Sequence, residues 1–310
     1  MIFLLFGQDT FRLKRKLSAL LERYKNTFKE ALELKVIDLA EKDFRDFKNA
    51  FESVSMFKER KLLIVKNAQE NSQFKEEFLK RISIYQSSPE IILFIQEGEI
   101  PDDEFFEKIK KAGKFQEFKP LEGYKLKAWV EEEIKKYGAK IEKRALEKLI
   151  EYVGNDLWQI DNEIKKLISY KRKREILLKD VELLVQPKIE AQIFKTIETI
   201  ANKQKEKALK MLRFHLEKGE KASYIFTMIK YQFKTLLIVK DFLEKGFSFL
   251  EIQNKTDLHP YVIKKTSILA KKFKTEELLK IYQALFEIDL KMKMGKIEPE
   301  MAIFLFVSQV

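Results

Sequence analysis

The sequence has no cysteine among its 310 residues, which excludes disulfides and thiolate metal sites. Histidine is almost as rare. His215 and His259 are far apart, and neither has a second ligand at a spacing typical of a metal site. We predict that His215 lies on a helix surface and that His259 belongs to a turn before Pro260. We therefore expect no metal ion and no cofactor.

Long apolar runs are also missing. No stretch approaches the roughly 20 apolar residues that a membrane-spanning helix needs. The apolar start at residues 1–6 is too short for the core of a signal peptide, and basic residues follow it rather than precede it. We expect a cytoplasmic protein that makes no contact with a membrane.

Basic residues outnumber acidic ones. The 61 lysines and arginines against 49 aspartates and glutamates give a formal net charge of +12. Such a surplus favours contact with a polyanion, nucleic acid first. The charges are also mixed in sign along amphipathic helices, which is typical of a solvated surface. Composition leaves both interpretations open.

Apolar runs alternate with helical patterns over the first 120 residues. Continuous apolar strands of this kind indicate a parallel sheet that helices cover on both faces. A strand–helix alternation that stops at Pro120 predicts an α/β domain at residues 1–121. The predicted strands are residues 1–6, 36–39, 62–65, 91–95 and, more weakly, 115–118.

Helices alone are predicted from Gly123 onward, with stops at Gly138 and Gly154. Lys171–Arg174 is predicted to be a basic loop. The fold class is thus α/β plus all-α, with a small helical domain at 122–188 and a helical C-terminal domain at 189–310. The predicted helices are residues 125–137, 143–153 and 157–170, a short one near Lys179, and a long block after Pro187.

The strand–turn–helix opening invites comparison with a phosphate-binding loop, but its turn offers only Gly7. That loop needs Gly-x-x-x-x-Gly-Lys-Ser/Thr, because backbone N–H groups and a lysine bind phosphate while the hydroxyl holds magnesium. Gly113-Lys114 and Gly295-Lys296 lack the upstream glycine, and the third strand leads into Lys66 where an acid would organise magnesium. We predict no ATP hydrolysis. No other catalytic set stands out, so a binding or mechanical role is expected.

An apolar pair, Met56-Phe57, is set among charges between a helical pattern and the third strand. Phe57 follows Val54 by three positions, so a longer helix would bury it as an extension of the stripe that contains Phe51. Alternatively, the pair forms an interface anchor with a polar rim. Periodicity alone favours the buried interpretation.

Several local patterns together resemble the delta subunit family of the bacterial DNA polymerase III clamp loader. The resemblance covers nearly the whole chain. It rests on Phe6-Gly7-Gln8-Asp9-Thr10-Phe11, on Met56-Phe57 to Arg60, on Trp129 with Gly154-Asn155-Asp156-Leu157, Glu163 and Leu167, and on Leu258–Lys265 and Asp289-Leu290-Lys291 with Gly295.

The resemblance implies an AAA+-like parallel-sheet domain without a phosphate loop, a helical lid domain and a helical collar domain for oligomerisation. It implies a non-ATPase subunit that binds the sliding clamp through an apolar tip and opens it for loading onto primed DNA. Val54, Met56 and Phe57 would form that tip. The partners would be the clamp, the other clamp-loader subunits in a hetero-oligomeric ring, and DNA. The assembled complex would be classed with DNA-directed DNA polymerases, although this chain has no expected catalysis of its own.

Basic residues at two places could face DNA inside such a ring, or could equally be a solvated surface. They are Arg12, Lys14 and Arg15 near the start, and Lys171 and Arg172 in the basic loop. Two alternatives to a clamp-loader subunit remain from the residues alone. One is a free-standing basic nucleic-acid-binding protein, and the other is a divergent nucleotide-hydrolysing enzyme.

Overall fold

The computed structural model describes residues 1–28, 32–53, 60–172, 174–256, 258 and 260–310. The chain divides into two compact units, Met1–Leu121 and Glu122–Val310. The first is an α/β unit and the second is helical, which confirms the predicted fold class. A further division of the second unit at residues 188/189 stays a prediction.

A five-stranded sheet organises the first unit, and every neighbouring pair of strands is parallel. Each strand predicted from the sequence is present. Backbone hydrogen bonds between neighbouring strands extend most of them at least one residue beyond the apolar run. The strands are β1 (Ile2–Gly7), β2 (Leu32–Asp38), β3 (Arg60–Lys66), β4 (Ile91–Glu97) and β5 (Lys114–Glu117), in the spatial order β2-β3-β4-β1-β5.

Helices cover both faces of the sheet. On one face Leu13 packs against Leu5 and Leu62, and on the other Phe47 and Phe94 belong to a large aromatic cluster. Alternate residues of β1 and β3 enter the two clusters, as the period of two in a strand requires. The helices of this unit are α1 (Thr10–Phe28), α2 (Phe44–Glu52), α3 (Ser72–Lys80), α4 (Ile82–Ser87) and α5 (Glu104–Ala112), with a 3₁₀ turn at Ala68–Glu70.

The second unit consists of helices, apart from one isolated bridge between Ile141 and Ile176 in its described part. Its largest core surrounds Phe233, whose ring lies 5.6 Å from Phe306 and 6.2 Å from Phe273. The helices are α6 (Gly123–Lys136), α7 (Lys143–Val153), α8 (Leu157–Lys171), α9 (Leu178–Leu184), α10 (Ile189–Ala201), α11 (Lys205–Glu217), α12 (Ala222–Glu244), α13 (Phe249–Lys255), α14 (Pro260–Ala270), α15 (Thr275–Lys293) and α16 (Pro299–Gln309).

Among the helices that the structure describes, none is long and apolar enough to cross a membrane.

Two details of the helical prediction are wrong. His215 is buried, with 3% of its surface exposed, because it continues the buried stripe of Ala208 and Leu212 on α11. Burial lowers the pKa of the His215 imidazole, since its charged form would lose water. Lys171 does not open a loop but is the last residue of α8, and Arg172 ends that helix in the left-handed conformation. His259 lies outside the described residues.

Candidate functional site

The candidate contact segment spans residues 54–59, between α2 and β3. Val54, Met56 and Phe57 all lie outside the residues that the structure describes. Neither the buried interpretation of this segment nor the interface interpretation is therefore tested directly. The described residues on its two sides show how the flanking chain is held.

Ser53 ends α2 just before the segment. Its backbone N–H donates to the Asn49 carbonyl over 2.9 Å, and its hydroxyl Oγ donates to the Ala50 carbonyl over 3.0 Å. The backbone then turns away from the helix at φ −54° and ψ 133°. From β2, Lys35 Nζ donates to Ser53 Oγ over 2.9 Å. Ser53 is thus fixed both to its own helix and to the sheet.

Lys61 lies just after the segment, in β3, and only 3% of its surface is exposed. Its Nζ donates to Ser53 Oγ over 3.0 Å and to the Phe51 carbonyl over 3.2 Å. Its backbone N–H donates to Glu90 Oε2 over 2.5 Å. Residues on the two sides of segment 54–59 are therefore hydrogen-bonded to each other. Lys35, Ser53 and Lys61 are called the lysine–serine cluster below.

The electrostatics of α2 suit this arrangement. Asp43 and Asp46 form a capping box at the first turn, where the helix dipole is positive. No basic residue of α2 itself lies in its last turn. The ammonium group of Lys61 supplies positive charge there and donates to the Phe51 carbonyl, and a cation stabilises the carbonyl end of a helix. The ammonium group of Lys35 lies beside it and is also ion-paired with Glu33 over 2.8 Å.

Aromatic rings hold α2 against α3 and α4. Phe47 is fully buried, and its ring lies 5.4 Å from both Phe74 and Tyr85. Phe51, one turn later, lies 4.9 Å from Tyr85 in an edge-to-face contact. Burial raises the pKa of the Tyr85 hydroxyl. Aromatic contacts of this kind add about 0.5–1.5 kcal/mol each beyond the area that they bury, so α2 is a firm support for segment 54–59.

The turn after β1 stands where a phosphate-binding loop would be, and it is closed by the chain that follows β5. The Phe118 carbonyl accepts from the Asp9 N–H over 2.9 Å, and the Phe118 N–H donates to the Phe6 carbonyl over 2.7 Å. Gly7 has φ 139°, and a Cβ placed there would lie 2.3 Å from the Phe118 carbonyl oxygen. Only glycine fits this position.

A carboxylate already caps the N-terminus of α1. Asp9 is 7% exposed, and its Oδ1 accepts from the Arg12 N–H over 2.9 Å. The Arg12 guanidinium donates through Nε to Asp9 Oδ2 and through Nη2 to the Lys119 carbonyl, over 2.5 Å each. One backbone N–H of the helix terminus and the guanidinium of Arg12, which could otherwise bind a phosphate, therefore already bind Asp9.

The end of β3 also differs from a magnesium site. Lys66 pairs in register with Asp38, the last residue of β2. Asn67 follows in the left-handed conformation at φ 57°, and its Nδ2 donates to Asp38 Oδ1 over 2.7 Å. This hydrogen bond lowers the pKa of the Asp38 carboxyl. A lysine and an amide, rather than a second acid, accompany the single carboxylate.

The five basic residues with a predicted DNA contact lie in both units. Arg12 is bound to Asp9, and Lys14 forms an ion pair with Glu97 over 3.1 Å. Arg15 is exposed on α1. In the second unit Lys171 Nζ lies 2.9 Å from Asp180 Oδ2, and its side chain is only 16% exposed. Arg172 follows it at the end of α8. No DNA contact of these residues is tested.

Comparison with known proteins gives a consistent result. The family models for the DNA polymerase III delta subunit and for its C-terminal domain match residues 3–119 and 190–310. DNA polymerase III subunit delta of Bacillus subtilis is 28% identical over 100% of this chain and 92% of its own length. The probable DNA polymerase III subunit delta of Aquifex aeolicus is 24% identical over 79% of this chain and 72% of its own length. The solved structure of the Bacillus subtilis DNA clamp loader delta protein superposes with a TM-score of 0.67 and 26% identity, over 99% of this chain and 94% of that one.

A five-stranded parallel sheet followed by a helical region is the architecture that superposes on this clamp-loader protein, which places the chain in the class of clamp-loader subunits. Within that class, the chain belongs to the DNA polymerase III delta subunit family.

Sequence reasoning missed the lysine–serine cluster. One signal was available, because Lys61 begins an apolar run that reads as a buried strand. A lysine at such a position needs acceptors for its ammonium group, which predicts nearby carbonyl or hydroxyl oxygens. Which oxygens these are depends on how β3 lies beside α2, and the sequence does not contain that pairing.

Proposed function

We propose that this delta subunit binds the sliding clamp through segment 54–59, with Val54, Met56 and Phe57 as the apolar anchors. The observation that carries the proposal is the lysine–serine cluster. It joins Ser53 to Lys61 and so fixes the two sides of a six-residue segment that holds a Met-Phe pair. Fixed ends reduce the conformational entropy that the segment loses on binding, and this favours affinity.

Opening of the clamp then follows from differential binding. A partner that fits the open clamp better than the closed one shifts the population of clamps toward the open form, with no covalent chemistry. Truncation of a large apolar anchor that fills a pocket costs about 2 kcal/mol or more of binding free energy, and the segment offers two such anchors. A segment supported by a packed helix and a sheet can transmit that binding energy to the clamp without yielding itself.

The same proposal assigns ATP hydrolysis to other subunits of the ring. Asp9 and Arg12 occupy the helix terminus that a phosphate would need, and Lys66 stands where an acid would hold magnesium. We propose that this subunit works in a hetero-oligomeric ring that contacts primed DNA, and that the ring's ATP state governs access to segment 54–59.

The proposal is tested by the affinity of the purified chain for a purified sliding clamp. Met56→Ala/Phe57→Ala should weaken binding by at least about a hundredfold, since the two truncation costs together exceed about 3 kcal/mol. A matched control is Met301→Ala/Phe115→Ala, which removes an exposed methionine and an exposed phenylalanine elsewhere. The control should bind like the wild type. Equal binding by the Met56/Phe57 variant, with an unchanged circular dichroism spectrum, would overturn the assignment.

A further inference from the structure

A lysine-rich groove in the second unit has no part in the proposed clamp contact. It lies between α7, α10, α11 and α14 and encloses about 610 Å³. Six lysines line it, against two glutamates, Glu151 and Glu198. Lysine thus makes up six of the 15 lining residues, whereas lysine and arginine together make up 61 of 310 residues in the chain. The groove is enriched in positive charge even for this basic protein.

Only part of this charge is neutralised within the groove. Glu151 accepts from Lys148 over 3.1 Å and from Lys265 over 2.8 Å. Burial alone would raise the pKa of the Glu151 carboxyl, but these two ammonium groups outweigh it and hold the pKa below its ordinary value. The other four lysines form no ion pair with a carboxylate of the residues that the structure describes. They are Lys195, Lys207, Lys210 and Lys218.

Three of these four lysines follow one another along α11 and its C-terminal cap. Lys207 and Lys218 are eleven positions apart, which is about 16 Å at the rise of an α-helix. Lys210 lies between them, and all three side chains are exposed. A row of separate charges matches a chain-like polyanion with repeated phosphates better than a single small anion, whose ligands would converge on one point.

Aromatic rings stand among the lysines. Phe214 is 49% exposed, although it is large and apolar, and Lys218 Nζ lies 4.5 Å from the centre of its ring. Across the groove Lys148 Nζ lies 5.2 Å from the ring of Tyr152. Tyr152 is half-buried, so Phe214 is the ring that offers an exposed face beside a lysine. An unpaired base can stack on such a face, whereas the bases of a double helix are already stacked on one another.

We infer that this groove binds single-stranded nucleic acid, with Lys207, Lys210 and Lys218 contacting phosphates and Phe214 stacking on a base. The groove is a separate site from segment 54–59, so the inference stands or falls independently of the proposed clamp contact. An acidic peptide is the main competing ligand, but it would use the lysines and leave the exposed ring of Phe214 without a role.

The test is fluorescence anisotropy of a labelled oligothymidylate of about 12 nucleotides, a length within the usual range for single-strand sites, titrated with the full chain at several salt concentrations. Lys207→Gln/Lys210→Gln/Lys218→Gln should weaken binding about tenfold or more. It should also reduce the slope of log K against log salt by about 2, because three phosphate contacts are lost. The matched control, Lys271→Gln/Lys274→Gln/Lys280→Gln, removes the same charge from exposed lysines outside the groove. It should change affinity less than about twofold.

Substitution of Phe214 distinguishes single-stranded nucleic acid from other polyanions as the ligand. Phe214→Ala should weaken oligothymidylate binding about fivefold or more through the loss of stacking, and Phe214→Tyr, which keeps the ring, should restore it. Equal loss in the two lysine triples would overturn the groove as the site. An unchanged affinity of Phe214→Ala, or stronger competition by polyglutamate than by unlabelled oligothymidylate, would overturn single-stranded nucleic acid as the ligand.

Discussion

The two ends of the parallel strands in the first unit differ in whether they leave groups free to bind a ligand. The carboxyl edge is the side of the sheet where the strands end, and the amino edge is the side where they begin. At the carboxyl edge, the turn after β1 is closed by Phe118 and by the Asp9–Arg12 pair, and Asn67 binds Asp38. At the amino edge, the lysine–serine cluster fixes the two sides of segment 54–59. Ligands of open α/β sheets ordinarily bind outside the carboxyl ends of the strands. In this chain we propose that binding has moved to the opposite edge.

The largest expected effect on stability comes from the carboxyl edge. Gly7→Ala should lower the free energy of unfolding by about 3 kcal/mol or more, because the new Cβ would meet the Phe118 carbonyl and the backbone is at a positive φ. Chemical denaturation measures this change. Gly98→Ala is the matched control, since Gly98 also has a positive φ but its Cβ would meet nothing within 4 Å. A loss no greater than that of the control would show that this turn is not closed as described.

A substitution of Lys61 tests the role of the amino edge in clamp binding. Lys61→Met should weaken clamp binding about tenfold and lower the free energy of unfolding by about 1–3 kcal/mol, because the Phe51 carbonyl and Ser53 hydroxyl lose a buried donor. Lys66→Met makes the same substitution at the other end of β3 and should leave clamp affinity within about twofold. Surface plasmon resonance on the immobilised clamp measures both. Similar losses in the two variants would remove the distinction between the edges.

Ser53 should have a smaller effect. Ser53→Ala removes the acceptor shared by the two lysines, and we expect a threefold to fivefold weaker clamp affinity, equivalent to about 1 kcal/mol. Ser53→Thr retains the hydroxyl and should restore binding. Ser87→Ala, which removes a hydroxyl that donates to two carbonyls of its own helix, is the control. Failure of threonine to restore affinity would mean that the hydroxyl does not position the segment.

The smallest effect concerns pH. The Asn67 amide lowers the pKa of Asp38 in the folded chain below its ordinary value of 3.8. The resulting stability is present above that value and is lost as the pH falls through the lowered pKa of the folded state. In Asn67→Gly, glycine tolerates the positive φ of this position but lacks the amide. The free energy of unfolding of this variant should therefore fall less steeply than that of the wild type as the pH is lowered through this acidic range. Parallel pH profiles of wild type and variant would rule out the contribution.

The sequence was most informative where one physical cause dominates. Continuous apolar runs gave the five strands, and the absence of a second glycine after Gly7 excluded a phosphate loop. The polarity of His215 predicts a surface position, whereas its place in the helical stripe with Leu212 buries it. No helix is predicted between the fourth and fifth strands, where the structure has α5 with Asp103 as its cap and with Phe105, Phe106 and Ile109 buried.

The candidate site was likewise predictable from the sequence only in part. Met56 and Phe57 stand out in the sequence as an apolar pair set among charges, a pattern that is compatible with a buried extension of the helix or with an interface anchor. The lysine–serine cluster was not predictable, because it joins side chains from β2, the end of α2 and β3 that meet only in the folded sheet. The closure of the carboxyl edge likewise depends on a contact between Asp9 and Phe118 across more than a hundred positions.

Hydrogen–deuterium exchange of the chain, with and without the clamp, tests the account most directly, because it reports on both edges in one measurement. We predict that the clamp slows exchange in peptides that cover residues 53–61 and leaves residues 7–13 and 66–71 unchanged. Protection of residues 7–13 or 66–71 without protection of 53–61 would contradict the account and would place the clamp at the carboxyl edge.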